Sequence, residues 1–349
     1  MRGRCGTPVA LSSPAMKTAL TGITSGIGMR YAEVALERGH ALAALVRDPD
    51  RADARALAAR GVRLVRGDLD DQAALADVAA GAEVFVHMAA HVGDWGTLEQ
   101  FERVNVGGTR NAIEAAAQAG VPRFVQLSSS AVYGRPDHGR VTEAWPTRKI
   151  GIPYEDTKTD AERLAFARGA ELGLHVVAVR PPIVYGPYDR NFMPRAIEAL
   201  RHRRFLLVDG GRAPLNVVWV DHVVDVMLLA AQRDDLGGEA FNVMDEVDGR
   251  PPSVREVGET IAREAGLRPP TFSLPFPAAM AVGHLLEKAW LLARSRKPPP
   301  ISSFIVRMLT RDVIYDASKA ARVLGWKPQV RALEGLARFA REAAASGSA

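Results

Sequence analysis

The sequence predicts an α/β fold in which a doubly wound parallel sheet is covered by helices on both faces, with a smaller substrate-binding portion toward the C-terminus. Three observations predict it. Short apolar runs alternate with amphipathic stretches through the first half of the chain, and a glycine cluster stands between the first strand and the first helix. Beyond Pro181-Pro182 the regular alternation gives way to loops rich in Gly, Pro and Arg, as in Tyr185-Gly-Pro-Tyr-Asp189 and Asp209-Gly-Gly-Arg212. At 349 residues the chain exceeds the usual single core, which also argues for a main domain with an attached one.

Residues 1–15 are turn-rich and aperiodic and are expected to form a disordered extension, with Met16 as the structural start. Strands are expected at Met16–Leu20, Ala41–Val46, Val62–Arg66, Val84–His87, Phe124–Leu127 and Val176–Val179. Between them, apolar residues return near a 3.6 period over Met29–Arg38, Asp71–Val78, Val104–Ala119 and Lys158–Leu172, which reads as helix. A nucleotide-binding domain is thus expected over 16–180, rejoined by later segments, and a substrate-binding portion over 181–340. The small polar residues of 341–349 should fray.

Composition excludes several classes. The formal net charge of +5 comes from scattered arginines, without the basic run interleaved with aromatics that marks a nucleic-acid groove. A lone cysteine, Cys5, forbids an internal disulfide framework or a multi-cysteine metal site and fits a reducing cytoplasm. No apolar run reaches about 18 residues, so no transmembrane segment is expected.

The turn Thr21-Gly22-Ile-Thr-Ser-Gly26-Ile-Gly28 follows the first strand and opens the first helix. Glycines there let the backbone approach a pyrophosphate, and the helix N-terminus meets the anion with free N–H groups. This placement makes the fold of Rossmann type, and Gly22, Thr24, Ser25, Gly26, Ile27 and Gly28 candidate cofactor contacts. At the end of the second strand stands Arg47, whose guanidinium suits the 2′-phosphate of NADP, while the adjacent Asp48 leaves NAD open. Asp68 and Leu69 should lie beside the adenine, although Asp68 could equally cap the helix near Asp70-Asp71. Ala89 and Ala90 are small enough for the cofactor to lie close.

Tyr154 and Lys158 stand at i and i+4, on one helix face. A phenol of reference pKa about 10 becomes a usable proton shuttle when a neighbouring cation favours phenolate. Lys158 also suits the ribose hydroxyls. Ser128-Ser129-Ser130 follows the fifth strand at the carboxyl edge of the sheet, where a hydroxyl can bond a substrate oxygen; Ser129 is favoured, with Ser128 close behind.

Together, the glycine turn, serine run and Tyr-x-x-x-Lys resemble the short-chain dehydrogenase/reductase superfamily, and more narrowly its extended branch. The likeness continues through Phe85-Val-His-Met-Ala-Ala90, Asn105-Val-Gly-Gly-Thr109, Phe124 to Gly134, Arg180-Pro-Pro-Ile-Val-Tyr-Gly-Pro187 and Asn216 to His222. It covers about residues 16–340. One departure stands out: Gly22, Gly26 and Gly28 follow G-x-x-x-G-x-G, the spacing of the single-domain branch. Residues 180–187 and 301–326 look most like the 3β-hydroxysteroid and sterol dehydrogenases, then the dihydroflavonol reductases. The resemblance implies hydride transfer between a nicotinamide and a secondary alcohol or ketone on a lipophilic substrate, with Tyr154 as acid/base, Ser129 as orienting donor and Lys158 as electrostatic support. It adds Asn105, Ser128, Pro181 and Ile183 to the cofactor contacts and implies pairing of subunits as a homodimer.

Other readings are weaker. His87 and His91 lack a third ligand at metal spacing, and Asp221-His222 lacks a nucleophile elbow, so neither a metal site nor hydrolase chemistry is expected. The apolar segment 276–296 ends in basic residues and reads as a lid or packing helix ahead of a peripheral membrane contact. A nucleotide-sugar epimerase or dehydratase holding NAD tightly is the second enzymatic reading. A non-catalytic cofactor-binding regulator is the third; it would have no need of Tyr154, Lys158 and the serines together.

Overall fold

The computed structural model describes residues 15–93, 96–247, 249–292 and 302–345. In chain order the strands are β1 (Lys17–Thr21), β2 (Ala41–Val46), β3 (Arg63–Arg66), β4 (Val84–His87), β5 (Arg123–Leu127), β6 (His138–Val141), β7 (His175–Arg180), β8 (Ile183–Tyr185), β9 (Leu207–Val208), β10 (Val217–Trp219), β11 (Glu239–Asn242), β12 (Ser273–Leu274) and β13 (Asp312–Tyr315). The helices are α1 (Gly26–Glu37), α2 (Ala52–Ala59), α3 (Gln72–Ala79), α4 (Leu98–Phe101), α5 (Gly108–Gln118), α6 (Pro153–Leu172), α7 (Phe192–Arg201), α8 (Val220–Ala231), α9 (Val254–Glu264), α10 (Phe276–Leu292), α11 (Ser303–Met308), α12 (Ser318–Leu324) and α13 (Ala332–Ala345).

Seven strands form one parallel sheet in the order β11-β7-β5-β4-β1-β2-β3. This is the Rossmann arrangement, and the six strands expected from the sequence all lie in it. The strand order reverses between β1 and β4, which opens a crevice at their carboxyl ends. One face packs α1, α8 and α12 around Leu20, Val86, Val125 and Phe241. The other packs α3, α5 and α6 around Phe85, Ile113 and Phe124. A separate core joins β8 and β10 to α7, α9 and α13 through Tyr185, Trp219, Ile261 and Leu336.

Three differences from the sequence expectation have local causes. The seventh strand, β11, follows Gly237-Gly238 in the part of the chain where the regular alternation has given way to loops, so no alternation marks it. The helix expected from Val104 begins as α4, passes through a π-helical turn at Glu102–Gly107 and continues as α5. The helix expected from Lys158 starts five residues earlier, with Pro153 in its first turn, where a missing N–H costs nothing. Asp156 fixes that entry by accepting from the Ile150 and Gly151 amides at 2.7 and 3.1 Å. Residues 341–345, expected to fray, continue α13. Residues 346–349, residues 293–296 of the 276–296 segment, and the N-terminal extension apart from Ala15 lie outside the described residues.

Candidate active site

The glycine turn is built by close approach. Gly22 has φ of +76°, and a Cβ there would stand 2.5 Å from the Ala89 amide nitrogen. A Cβ at Gly26 would meet the Tyr188 carbonyl at 2.7 Å, and one at Gly28 the Gly22 carbonyl at 2.3 Å. Each glycine of the unusual spacing therefore has its own backbone neighbour. Ser25 caps α1, its hydroxyl accepting from the Gly28 amide at 3.0 Å.

From this turn a cleft of about 850 Å³ runs along the carboxyl edge of the sheet, a size that suits a dinucleotide with room for a substrate. Gly22, Thr24, Ser25, Gly26, Ile27, Arg47, Asp68, Leu69, Ala89, Ala90, Ser128, Ser129, Tyr154, Lys158, Pro181 and Ile183 all line it. Two residues singled out from the sequence do not. Gly28 lies behind the turn, packed on Gly22. Asn105 is buried in the π-helical turn, accepting from the His91 amide at 2.7 Å and donating to the His91 carbonyl and the Thr157 hydroxyl. Asp68 lines the cleft while Asp71 caps α3, accepting from the Ala74 amide at 3.0 Å. The exposed Arg47 forms no hydrogen bond or ion pair among the described residues, whereas the Asp48 carboxylate accepts from the Asp50 amide.

At the far end α6 presents Tyr154 and Lys158 to the cleft, one turn apart. The Tyr154 ring meets Phe101 edge-on, with centroids 6.4 Å apart. Lys158 is buried; its Nζ donates to the Leu127 carbonyl at 2.7 Å, and burial pulls the ammonium down to about 8 against the opposing pull of Glu162. Ser129 caps a short 3-10 turn, accepting from the Ala131 amide at 3.2 Å, which leaves its own proton to donate. The buried Ser128 hydroxyl has no partner among the described residues.

Behind the lysine, Glu162 and Arg180 form a buried two-point ion pair at 2.6 and 2.9 Å, and Arg180 also donates to the Tyr133 hydroxyl. This ties α6 to β7. The flanking histidines do not converge. His87 is buried with Nδ1 2.7 Å from the Thr21 hydroxyl, and burial with the Lys158 charge pushes it down to about 3, so it stays neutral. His91 lies against Phe101. His222 is paired with Asp245 at 2.7 Å, and its Nε2 accepts from the Gln329 amide, while Asp221 binds Arg30. The His222–Asp245 pair sits in the core and does not line the cleft.

Sequence reasoning missed one wall of the cleft. The loop Tyr185–Phe192 folds back over the glycine turn, and Tyr188, with φ of 68°, reaches Glu33 on α1 through its hydroxyl at 2.6 Å. The loop composition was visible, but its contact with α1 joins residues 155 positions apart. Helix α10 buries Ala279 and Met280 against Leu206, Val208 and Val306; its described residues form no part of the cleft wall. Among the described residues no helix is long and apolar enough to cross a membrane.

The model of the NAD dependent epimerase/dehydratase family matches residues 18–243. The chain is 33% identical to a 4-hydroxy-2-methyl-3-oxo-4-farnesyl-3,4-dihydroquinoline-1-oxide ketoreductase of Stigmatella aurantiaca, over 92% of this chain and 95% of that one. It is 30% identical to a 2-alkyl-3-oxoalkanoate reductase of Stenotrophomonas maltophilia, over 95% of this chain and 100% of the other. A decarboxylating sterol-4-alpha-carboxylate 3-dehydrogenase of Candida albicans is 28% identical over 77% of this chain and 79% of its own. Among solved structures, MoeE5 in complex with UDP-glucose and NAD superposes with a TM-score of 0.74 at 29% identity, covering 96% of this chain and 100% of MoeE5. The cleft that the glycine turn opens and the Tyr154–Lys158 helix closes is thus found in a chain that belongs to the NAD-dependent epimerase/dehydratase family, the extended short-chain dehydrogenases/reductases, and is a nicotinamide-dependent oxidoreductase.

Proposed function

We propose that the protein interconverts a ketone and a secondary alcohol on a lipophilic substrate, with Tyr154 as the acid/base residue. The observation that carries this reading is the convergence of Tyr154, Lys158, Ser128 and Ser129 on one end of the cleft whose other end is the glycine turn. The residues fit a dinucleotide: the close-packed glycines would leave its phosphates room beside the α1 N-terminus, and Lys158, which lines the far end of the cleft, would hold the nicotinamide ribose. When bound, the nicotinamide supplies or takes up the hydride. Ser129 donates a hydrogen bond to the substrate oxygen and fixes its position. Tyr154 passes its proton to that oxygen as the ketone becomes an alcohol and takes it back in the reverse direction. A cation one helical turn from a phenol favours its ionised form, and this is the part Lys158 would take.

The relatives support the substrate class. Two carry in their names a ketone or an alcohol oxidised to one, with a carboxylate two carbons away, and another a farnesylated ring ketone. For the cofactor we propose a preference for NADP. Arg47 lines the cleft with its guanidinium unpaired among the described residues, and Asp48 is occupied in a turn, which suits a 2′-phosphate better than a ribose diol. A peripheral membrane contact is supported by Val282, Leu285 and Leu292, exposed on α10, with Arg294, Arg296 and Lys297 following in the sequence.

The test follows reduced-nicotinamide absorbance while lipophilic ketones are offered with each cofactor. Turnover is expected, and Tyr154→Phe should abolish it while cofactor affinity stays nearly unchanged. Were no ketone or alcohol to react while a UDP- or dTDP-sugar changed configuration, the nucleotide-sugar reading would replace this one.

A further inference from the structure

The strap that folds over the glycine turn continues toward the second strand. The Tyr188 carbonyl stands against Gly26, where a Cβ would meet it at 2.7 Å, and the Tyr188 hydroxyl reaches Glu33. Two residues on, within about 7 Å of extended chain, Arg190 lines the same cleft, and its guanidinium lies 3.8 Å from Asp53 in the first turn of α2. Helix α2 follows β2 and Arg47. The strap therefore runs from the phosphate turn to the β2–α2 corner. That corner is where the two nicotinamide dinucleotides differ, by a phosphate on the adenosine ribose.

Three guanidinium groups line the cleft there, Arg47 and Arg51 from the β2–α2 connection and Arg190 from the strap. Arg51 and Arg190 meet the same oxygen of Asp53, Oδ2, at 2.7 and 3.8 Å, and Arg51 also donates to Oδ1 at 3.2 Å. The close pair is thus Arg51–Asp53, while Arg190 stands too far for a hydrogen bond and makes none among the described residues. The other acids of the corner are committed elsewhere. Asp48 accepts from the Asp50 amide, and Asp50 pairs with Arg66 at 3.0 Å. Asp189, beside Arg190 in the chain, accepts from the Asn191, Phe192 and Met193 amides at the start of α7. That cap fixes the end of the strap, yet 59% of the Arg190 side chain is exposed, so its charge can turn to a nearby anion at little cost in desolvation. A phosphate monoester beside Arg47 and Arg51 carries roughly two negative charges at neutral pH and outweighs one shared carboxylate oxygen. A ribose diol carries none.

We propose that Arg190, carried by the strap, is a ligand of the 2′-phosphate of NADP and holds it from the wall that faces Arg47 and Arg51. This rests on the NADP reading of the cofactor cleft. Arg190 is then a specificity-determining residue supplied by a segment remote in sequence from the second strand. Asp53 is the internal anion it faces when no phosphate is bound, and NADP ties the strap to the β2–α2 corner more firmly than NAD does.

The experiment titrates the full chain with NADPH and with NADH at low salt, followed by nicotinamide fluorescence and without substrate. Arg190→Gln should weaken NADPH by about tenfold, the worth of one charge-assisted contact, and leave NADH within about twofold. Arg190→Lys should restore part of the loss, and added salt should shrink it, because the contact is exposed. Asp53→Asn should act in the opposite direction: without the competing carboxylate NADPH binds more tightly and NADH is unchanged. A strap that merely latches would behave otherwise, since losing either side of the Arg190–Asp53 pair would then weaken both dinucleotides alike. In a melting experiment 2′,5′-ADP should raise the Tm of wild type and Arg190→Lys more than that of Arg190→Gln, and 5′-AMP should not discriminate. Equal loss of NADPH and NADH in Arg190→Gln, loss of neither, or NADPH weakened by Asp53→Asn as much as by Arg190→Gln, overturns the proposal. If wild type nevertheless prefers NADPH, the NADP reading survives that failure; a wild type without that preference overturns both.

Discussion

Replacing Lys158 by Met keeps an apolar stem of similar length and removes the charge. Burial lowers the lysine from 10.5 to about 8 in the folded protein. The unfolded chain consequently binds more protons between about pH 8 and 10.5, and stability rises with pH across that window. Below pH 8 the ammonium is present in both states, and keeping it in the folded interior costs about 3 kcal/mol, from about 2.5 pK units at 1.36 kcal/mol each. Integrating the two titrations, wild type recovers about 2 to 3 kcal/mol between pH 7 and pH 10. Lys158→Met has no such titration, and the loss of its bond to the Leu127 carbonyl adds only a roughly constant offset of about 1 kcal/mol. Urea unfolding of both proteins without cofactor, at half-unit steps of pH, gives the difference, because titrating groups that do not feel the Lys158 charge cancel, and His87, which does feel it, titrates well below this window. The stability of wild type relative to Lys158→Met should climb with pH above 8. A difference that stays level, or falls, would mean that the ammonium is not desolvated in the folded protein and that its effect on Tyr154 needs another origin.

Two further outcomes test the cofactor end. Gly22→Ala places a Cβ 2.5 Å from the Ala89 amide at a φ of +76°; left-handed strain alone is about 1–2 kcal/mol and the clash is with backbone, so denaturation should show a loss of at least that size, and nucleotide titration should show weakened binding. Unchanged affinity and stability would refute the close approach. Arg47→Asp should shift the ratio of kcat/KM for NADP over NAD toward NAD by about tenfold or more, the worth of one charge-assisted contact; a constant ratio removes the argument for NADP.

Much of the site was legible because its signals are local. The glycine turn, the serine run and the Tyr154/Lys158 pair each lie at the carboxyl end of a strand or on the helix that follows, so locating the strands located them. The Asn105 motif carries no record of where the amide points; in the π-helical turn the amide is bonded to His91 and Thr157. The α6 start at Pro153 was readable from the proline alone, but the periodic apolar pattern begins only after Lys158. The Tyr188 strap was out of reach, since it depends on a neighbour far along the chain.

By itself the sequence determined the Rossmann sheet, the nicotinamide chemistry and the residue types proposed for the proton-transfer step. These follow from short-range rules: alternation of strand and helix, glycine where backbones must touch, and a phenol and an ammonium one helical turn apart. Tertiary structure decided which walls close the cleft, which polar groups are consumed in holding the frame, and which charges are left over. Those outcomes are sums over contacts between distant segments, and burial changes the cost of a charge far more than local sequence does. Lys158 and Arg180 are both basic side chains in the sequence. Only the packing around them makes the first a buried ammonium held below its ordinary value and the second the partner of Glu162 in a buried ion pair.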